Sequence, residues 1–155
     1  HRIMSNLSGY YNCKLDAKAR LLLPSDFKEQ LGEDLEKGFI LRPREVKDSV
    51  ECLEFYTKAD WDEQLERMRS RMDRSNPLHR NAIMRYNDGA KYVKIDASGR
   101  LQIPKELMDK ALFDKEVVIT TELVNMVIWD KNRYQQTIGS MSDETFNDII
   151  NELIK

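Results

Sequence analysis

The stretch KLDAKARLLLP, Lys14–Pro24, returns as KIDASGRLQIP, Lys94–Pro104, at an offset of 80 residues. Both copies run Lys, apolar, Asp, Ala, any residue, small, Arg, Leu, any residue, apolar, Pro. Short apolar runs flank a polar turn in each, the pattern of a strand–turn–strand unit. The surroundings repeat too. YYNCKL and RLLLP read as strands around DAKA. A short helix, DFKEQL, follows, with Ser25 as its cap and Phe27 and Leu31 one turn apart. GFILR and CLEFY then read as two more strands. The second half supplies KYVKI, DASG, RLQIP, a helical KELMDKAL, EVVIT and MVIWD in the same order.

The exits of the two halves also agree. Thr57 and Asp130 are good helix N-caps, each followed four residues later by an aromatic, Trp61 and Tyr134. The offset there is 73, so the first half holds seven extra residues, which fit the polar run PREVKDSV, Pro43–Val50. Between the halves, Trp61, Leu65, Met68 and Met72 recur at helical spacing. Asn76 and Pro77 open a second helix carrying Leu78, Ala82, Ile83 and Tyr86, which NDG ends. A last amphipathic helix, capped at Ser142, puts Phe146, Ile149, Ile150 and Leu153 on one face, expected to dock on its own domain. The division is a first repeat unit at 9–60, a helical connector at 61–88, a second repeat unit at 89–132 and a helical segment at 133–155. A unit of about 45 residues with four short strands buries too little apolar surface to stand alone. The two halves are therefore expected to interlock in a single α+β barrel.

The 155 residues are 41% hydrophobic and 34% charged, with a mean hydropathy of −0.64. No apolar run approaches the ~20 residues of a membrane span, and no charged-then-apolar leader opens the sequence. Cys13 and Cys52 share no metal-ligand spacing and read as reduced thiols of a cytoplasmic protein. Residues 1–4 are given no role. The net charge of −2 is unevenly spread: +3 over 1–20, −7 over 21–66, +6 over 67–100 and −4 over 101–155. Both copies of the repeated motif lie in positive blocks, so one face can carry a positive field despite the acidic total. The arginines at 67, 69, 71 and 74 fit a solvated helix face equally well.

The chemistry of D-x-x-x-R between two short strands has two readings. The carboxylate can accept backbone N–H groups of its own turn and fix the loop, as in Asx turns. The arginine then sits on a rigid platform as a planar fork suited to phosphate oxygens or to the O6/N7 edge of guanine. Alternatively, Asp16–Arg20 and Asp96–Arg100 are local ion pairs that only pin the hairpins. Repetition with flanking lysines favours a binding surface. Enzymatic signals are poor: His1 and His79 are the two histidines, and there is no Gly-rich phosphate loop, nucleophile elbow or H-E-x-x-H run. No metal, cofactor or small-molecule substrate is expected.

At these residues the sequence resembles the MraZ family of bacterial transcriptional regulators. Its opening motif corresponds to SGYYNCKLDAKARLLLP, its aromatic pair and Trp to FYTKADW, and its central motif to NPLHR. The second turn corresponds to DASGRLQIP and the final strands to KEVVITTELVNMVIWD. The agreement runs in order from about Gly9 to Asp130. The resemblance implies two SpoVT-AbrB-like swapped-hairpin halves forming one pseudo-two-fold β-barrel. It further implies rings, commonly octamers, that bind direct repeats in double-stranded promoter DNA upstream of the division and cell-wall gene cluster, as repressors associated with the nucleoid. It places Lys18, Arg20 and Arg100 at the DNA. Lys14 and Lys94 join them on charge and position alone, and Asp16 and Asp96 shape the turns. Two positions depart from the family: Ala19 stands where Gly precedes Arg, which points to a different geometry for the first turn, and Ser98 stands where the first copy has Lys18. The alternative class is an AbrB-like antitoxin or protein-interaction module; against it, residues 137–155 read as helical rather than as a disordered acidic tail.

Overall fold

The computed structural model describes residues 7–122 and 125–155. Residues 1–4, and Leu123 and Val124 of the last family motif, lie outside that range. The order of elements is β1 (Tyr10–Lys14), β2 (Arg20–Leu22), α1 (Ser25–Leu31), α2 (Asp34–Lys37), β3 (Phe39–Val46), β4 (Ser49–Thr57), α3 (Lys58–Arg71), α4 (Pro77–Asp88), β5 (Lys91–Val93), β6 (Arg100–Gln102), α5 (Lys105–Ala111), β7 (Glu116–Thr121), β8 (Met126–Asp130), α6 (Lys131–Thr137) and α7 (Asp143–Ile154).

Six strands form one antiparallel sheet in the order β1-β7-β8-β4-β3-β5, and β2 and β6 form a separate antiparallel ribbon. Exchanging the halves maps every pairing onto another. The β1–β7 pair corresponds to β5–β3 and the β7–β8 hairpin to β3–β4, while β4–β8 and β2–β6 map onto themselves. The first strand of each half thus completes the hairpin of the other, which is the interlocking expected of units too small to stand alone. The duplication extends to burial: residues 11–31 and 91–111 are buried, half-buried or exposed position for position alike. The sheet is open, however. β1 and β5 are its edges, and bridges at Leu15–Leu21 and Ile95–Leu101 tie it to the ribbon. The expected closed barrel is in this respect an open sheet roofed by a ribbon and two helices.

The core lies under that roof. Leu21, Leu23, Phe27 and Leu31 from one half and Leu101, Ile103, Leu107 and Ala111 from the other pack on Phe39, Leu41, Phe55, Val117, Ile119 and Ile128 of the sheet. Phe27 is fully buried, with the rings of Tyr11 and Phe55 at 5.3 and 6.4 Å. Successive strand residues point to opposite faces, and both faces are covered at Phe39-Ile40-Leu41. Phe39 and Leu41 face the roof, and Ile40 meets Tyr56 and Trp61 on the far side.

That far side holds the connector. Thr57 caps α3 by accepting from the N–H of Asp60 at 3.1 Å, and Asn76 caps α4 by accepting from Leu78 at 2.9 Å. Tyr86 of α4 stacks on Trp61 of α3 with centroids 5.3 Å apart and planes within 5°, and the Arg42 guanidinium lies 4.0 Å from the centre of the Tyr86 ring. Arg42 and Arg44 share Glu54, at 3.2 and 3.0 Å, and Arg44 also grips Glu122. Two arginines held by two carboxylates tie β3 to β4 and to Glu122 beyond β7, and Arg42 extends that network to Tyr86 of the connector.

Three local expectations are corrected. Ser25 is the first helical residue of α1 rather than its cap; Pro24 occupies the cap position with no side-chain bond, as Pro104 does before α5. Phe39 corresponds to Val117 (offset 78) and Thr57 to Asp130 (offset 73), so two of the seven extra residues lie in the connection containing α2. The other five lengthen β3 and β4 around a turn at Lys47 and Asp48, with a bulge at Arg44/Glu45. Finally, α7 does not bury its apolar face. Capped at Ser142, which accepts from Thr145 at 3.2 Å, it has no buried residue, and Phe146, Ile149, Ile150 and Leu153 are all exposed.

Candidate nucleic-acid interface

The two repeated turns share one construction. Asp16 Oδ1 accepts the backbone N–H groups of Lys18 and Arg20, both at 2.9 Å; Asp96 Oδ1 accepts those of Ser98 and Arg100 at 2.8 and 2.9 Å. The N–H of Ala19 donates to the Asp16 carbonyl at 3.0 Å, and the N–H of Gly99 donates to that of Asp96 at the same distance. These backbone donors, Arg20 first for Asp16 and Arg100 first for Asp96, hold both carboxyls below the usual aspartate range. Asp16 and Asp96 therefore build the turns, as their spacing indicates.

Ala19 has φ +59° and Gly99 φ +79°. The expectation of a different first turn is overturned: alanine adopts the left-handed conformation here, at about 1–2 kcal/mol of local strain, because the Asp16 bonds and the ribbon over-determine it. Each turn is also clipped to the opposite half. Ile103 N–H donates to the Ala19 carbonyl at 2.9 Å, Leu23 N–H to that of Gly99 at 3.3 Å, and the Gln102 side-chain amide to that of Lys18 at 3.3 Å.

The ribbon pairs Arg20 with Gln102, Leu21 with Leu101 and Leu22 with Arg100. Leu21 and Leu101 are fully buried. By strand alternation Arg20, Leu22, Arg100 and Gln102 share the outward face, with the two arginines on a diagonal and a turn at either end. Strand spacings put their Cα atoms about 8 Å apart. Arg20 Nε donates to Asp16 Oδ2 at 2.8 Å, with the two side chains 32% and 34% exposed. The local ion pair thus forms in the first copy, yet it uses only Nε, and among the described residues no hydrogen bond engages the two Nη groups. At an exposed site such a pair contributes little stability; it aims the guanidinium. Among the described residues no hydrogen bond or ion pair engages the Arg100 guanidinium.

The remaining expected residues divide. Lys18 projects from the exposed first tip. Lys94 lines a cleft that includes the second turn, Asp96 to Gly99. Lys14, the equivalent position in the first half, lines a cleft with Asp114, Glu116 and Asp130. Lys28 was not singled out from sequence: its ammonium reaches the second turn, and a Cβ on Gly99 would stand 2.9 Å from Lys28 Nζ. Only the swap of halves brings the two together across 71 positions, so no local pattern announces it. Among the described residues no group of three or more His, Cys, Asp or Glu is placed to hold a metal ion, and no helix is long and apolar enough to cross a membrane.

The ribbon thus carries two carboxylate-braced turns and two arginines in pseudo-symmetric positions. A family model described as "MraZ protein, putative antitoxin-like" matches the chain twice, over residues 7–84 and 88–155. The chain belongs to the MraZ family. It is 37% identical over 151 residues to a protein of Christiangramia forsetii named Transcriptional regulator MraZ, covering 97% of this chain and 94% of that one. Proteins of the same name from Flavobacterium psychrophilum and Clostridium tetani are 34% and 31% identical over 151 and 128 residues. Those matches cover 97% and 83% of this chain, and 93% and 84% of the relatives.

Proposed function

We propose that this chain is a cytoplasmic, nucleoid-associated transcriptional repressor. It would bind double-stranded promoter DNA through its paired turns, as a homo-oligomeric ring on direct repeats upstream of the division and cell-wall genes. The observation that carries the proposal is the outward diagonal of Arg20 and Arg100 on a ribbon whose turns are fixed from both halves. Arginine held in one geometry suits phosphate and guanine because its fork loses little freedom on binding. The strand exchange between halves supports a SpoVT-AbrB-type swapped-hairpin fold.

Two or three cations per subunit give weak, salt-sensitive contact. Several linked subunits on successive repeats raise the affinity through effective concentration. The α7 face supports such assembly. Residues 143–154 carry four carboxylates and no base, so two copies of α7 repel each other. The stretch from Arg67 to Arg85 carries six arginines and one acid, with Leu78 and Met84 exposed on α4. Charge directs α7 of one copy to the α3–α4 segment of the next, and a head-to-tail contact of this kind yields a ring where the rotation between neighbours closes. The test is promoter binding by Arg20→Ala and Arg100→Ala, with assembly mass followed by light scattering. Loss of binding at unchanged mass is expected; unchanged binding by both variants overturns the proposal. A second reading, an antitoxin-like module, is favoured by the same uncovered α7 face; a stoichiometric partner on α7 in place of self-association would establish it.

A further inference from the structure

We propose that Lys28, on a helix of the first half, is the phosphate-contacting lysine of the second turn, replacing the one its own loop lacks. The proposal rests on the DNA-binding function of the ribbon. The two turns are built alike, but the first carries Lys18 at its tip and the second Ser98. Taken alone, the second tip would present one cation where the first presents two.

The structure fills that gap from elsewhere. Lys28 Nζ lies beside Gly99, and Lys28 lines the cleft formed by Lys94 and the second turn. Asp96 and Glu36 line the same cleft, yet among the described residues no ion pair or hydrogen bond takes up the Lys28 ammonium. The residue equivalent to Lys28 in the second half is Met108, which packs against the core. Each tip therefore has one arginine and one lysine: the first from its own loop, the second by loan from α1. The arrangement also separates the two positions before the arginines. A side chain at 99 would press on Lys28 Nζ, whereas Ala19 is accommodated in the first turn.

The test uses the full chain, a mixed-sequence duplex and the duplex upstream of its own coding sequence, titrated by anisotropy across salt. Lys28→Met copies the residue present at 108 and keeps the burial of that position. It should lower the slope of log K against log salt by about 0.9 per subunit contact, as Lys18→Ala should at the first tip. Between about 50 and 200 mM salt this amounts to roughly a 3.5-fold smaller loss of affinity per contact. Lys28→Met combined with Ser98→Lys should restore the slope, which a merely structural role for Lys28 would not allow. An unchanged slope in Lys28→Met, while Arg100→Ala lowers it, overturns the proposal and leaves the ribbon as the DNA surface. If Arg20→Ala, Arg100→Ala and Lys28→Met all leave binding unchanged, the ribbon itself is not that surface.

Discussion

Ala19→Gly and Gly99→Ala should change stability in opposite directions, although each merely exchanges the same two residues. At φ +59° the alanine methyl crowds the following carbonyl, costing about 1–2 kcal/mol that glycine does not incur. Glycine in turn frees the unfolded chain by about 0.4–1 kcal/mol. The difference favours Ala19→Gly by about 0.5–1 kcal/mol. Gly99→Ala incurs the same strain at φ +79° and displaces Lys28 as well, so it should destabilise by about 1 kcal/mol. For a chain of this size the melting temperature moves by about 2–4 °C per kcal/mol. Calorimetry or denaturant melts at one fixed protein concentration read the two shifts, since assembly couples stability to concentration. A destabilised Ala19→Gly would refute the reasoning, because glycine replacing alanine in ordinary right-handed backbone loses stability.

Other consequences are directly measurable. Burial pushes the Cys13 and Cys52 thiols up to about 11 and about 12, so neither should react with a thiol reagent at pH 8 until the chain is denatured. Their reaction in the native state would show the core to be open. Asp16 and Asp96 have depressed folded pKa values, so the stability they give the turns is present above the unfolded aspartate pKa of about 3.9 and lost as pH falls through the folded values. Carboxyl carbon shifts should show both groups titrating below the free value, and titration at or above it would contradict the turn geometry. Phe27→Ala, in a site with no exposure, should cost about 3–5 kcal/mol in denaturant melts. Ile149→Asp should reduce the particle mass in light scattering while leaving the circular dichroism of the sheet intact, because α7 contributes nothing to the core.

The repeat made much of this legible in the sequence, because each half was a second reading of the other. Thr57, Asp130, Asn76 and Ser142 cap helices as their identities indicate: the cap bond is local, and its partner lies two or three residues away. Ser25 misleads for the same local reason. Pro24, with φ −56° and ψ 143°, takes the cap position because burial of Leu23 fixes where the chain leaves the ribbon. The outward aim of Arg20 and Arg100 follows from strand alternation once β2 and β6 are known to pair. Propensity speaks against a left-handed Ala19; the Asp16 bonds and the clips from the other half together enforce it. The apolar stripe of α7 reads identically whether its cover is the same sheet or another subunit.

The strand exchange also constrains how the chain is made. Tyr10–Lys14 leaves the ribosome about a hundred residues ahead of its partner, Glu116–Thr121. Until then β1 lacks its partner, although the β3–β4 hairpin and β5, which all precede β7, can already pair. Long-range closure of this kind is slow and leaves unpaired edges exposed. On a crowded message, the β7 of a neighbouring nascent chain can fill the place meant for the chain's own. Intertwined pairs born in this way would bury the same residues as the monomer, and only unfolding would separate them.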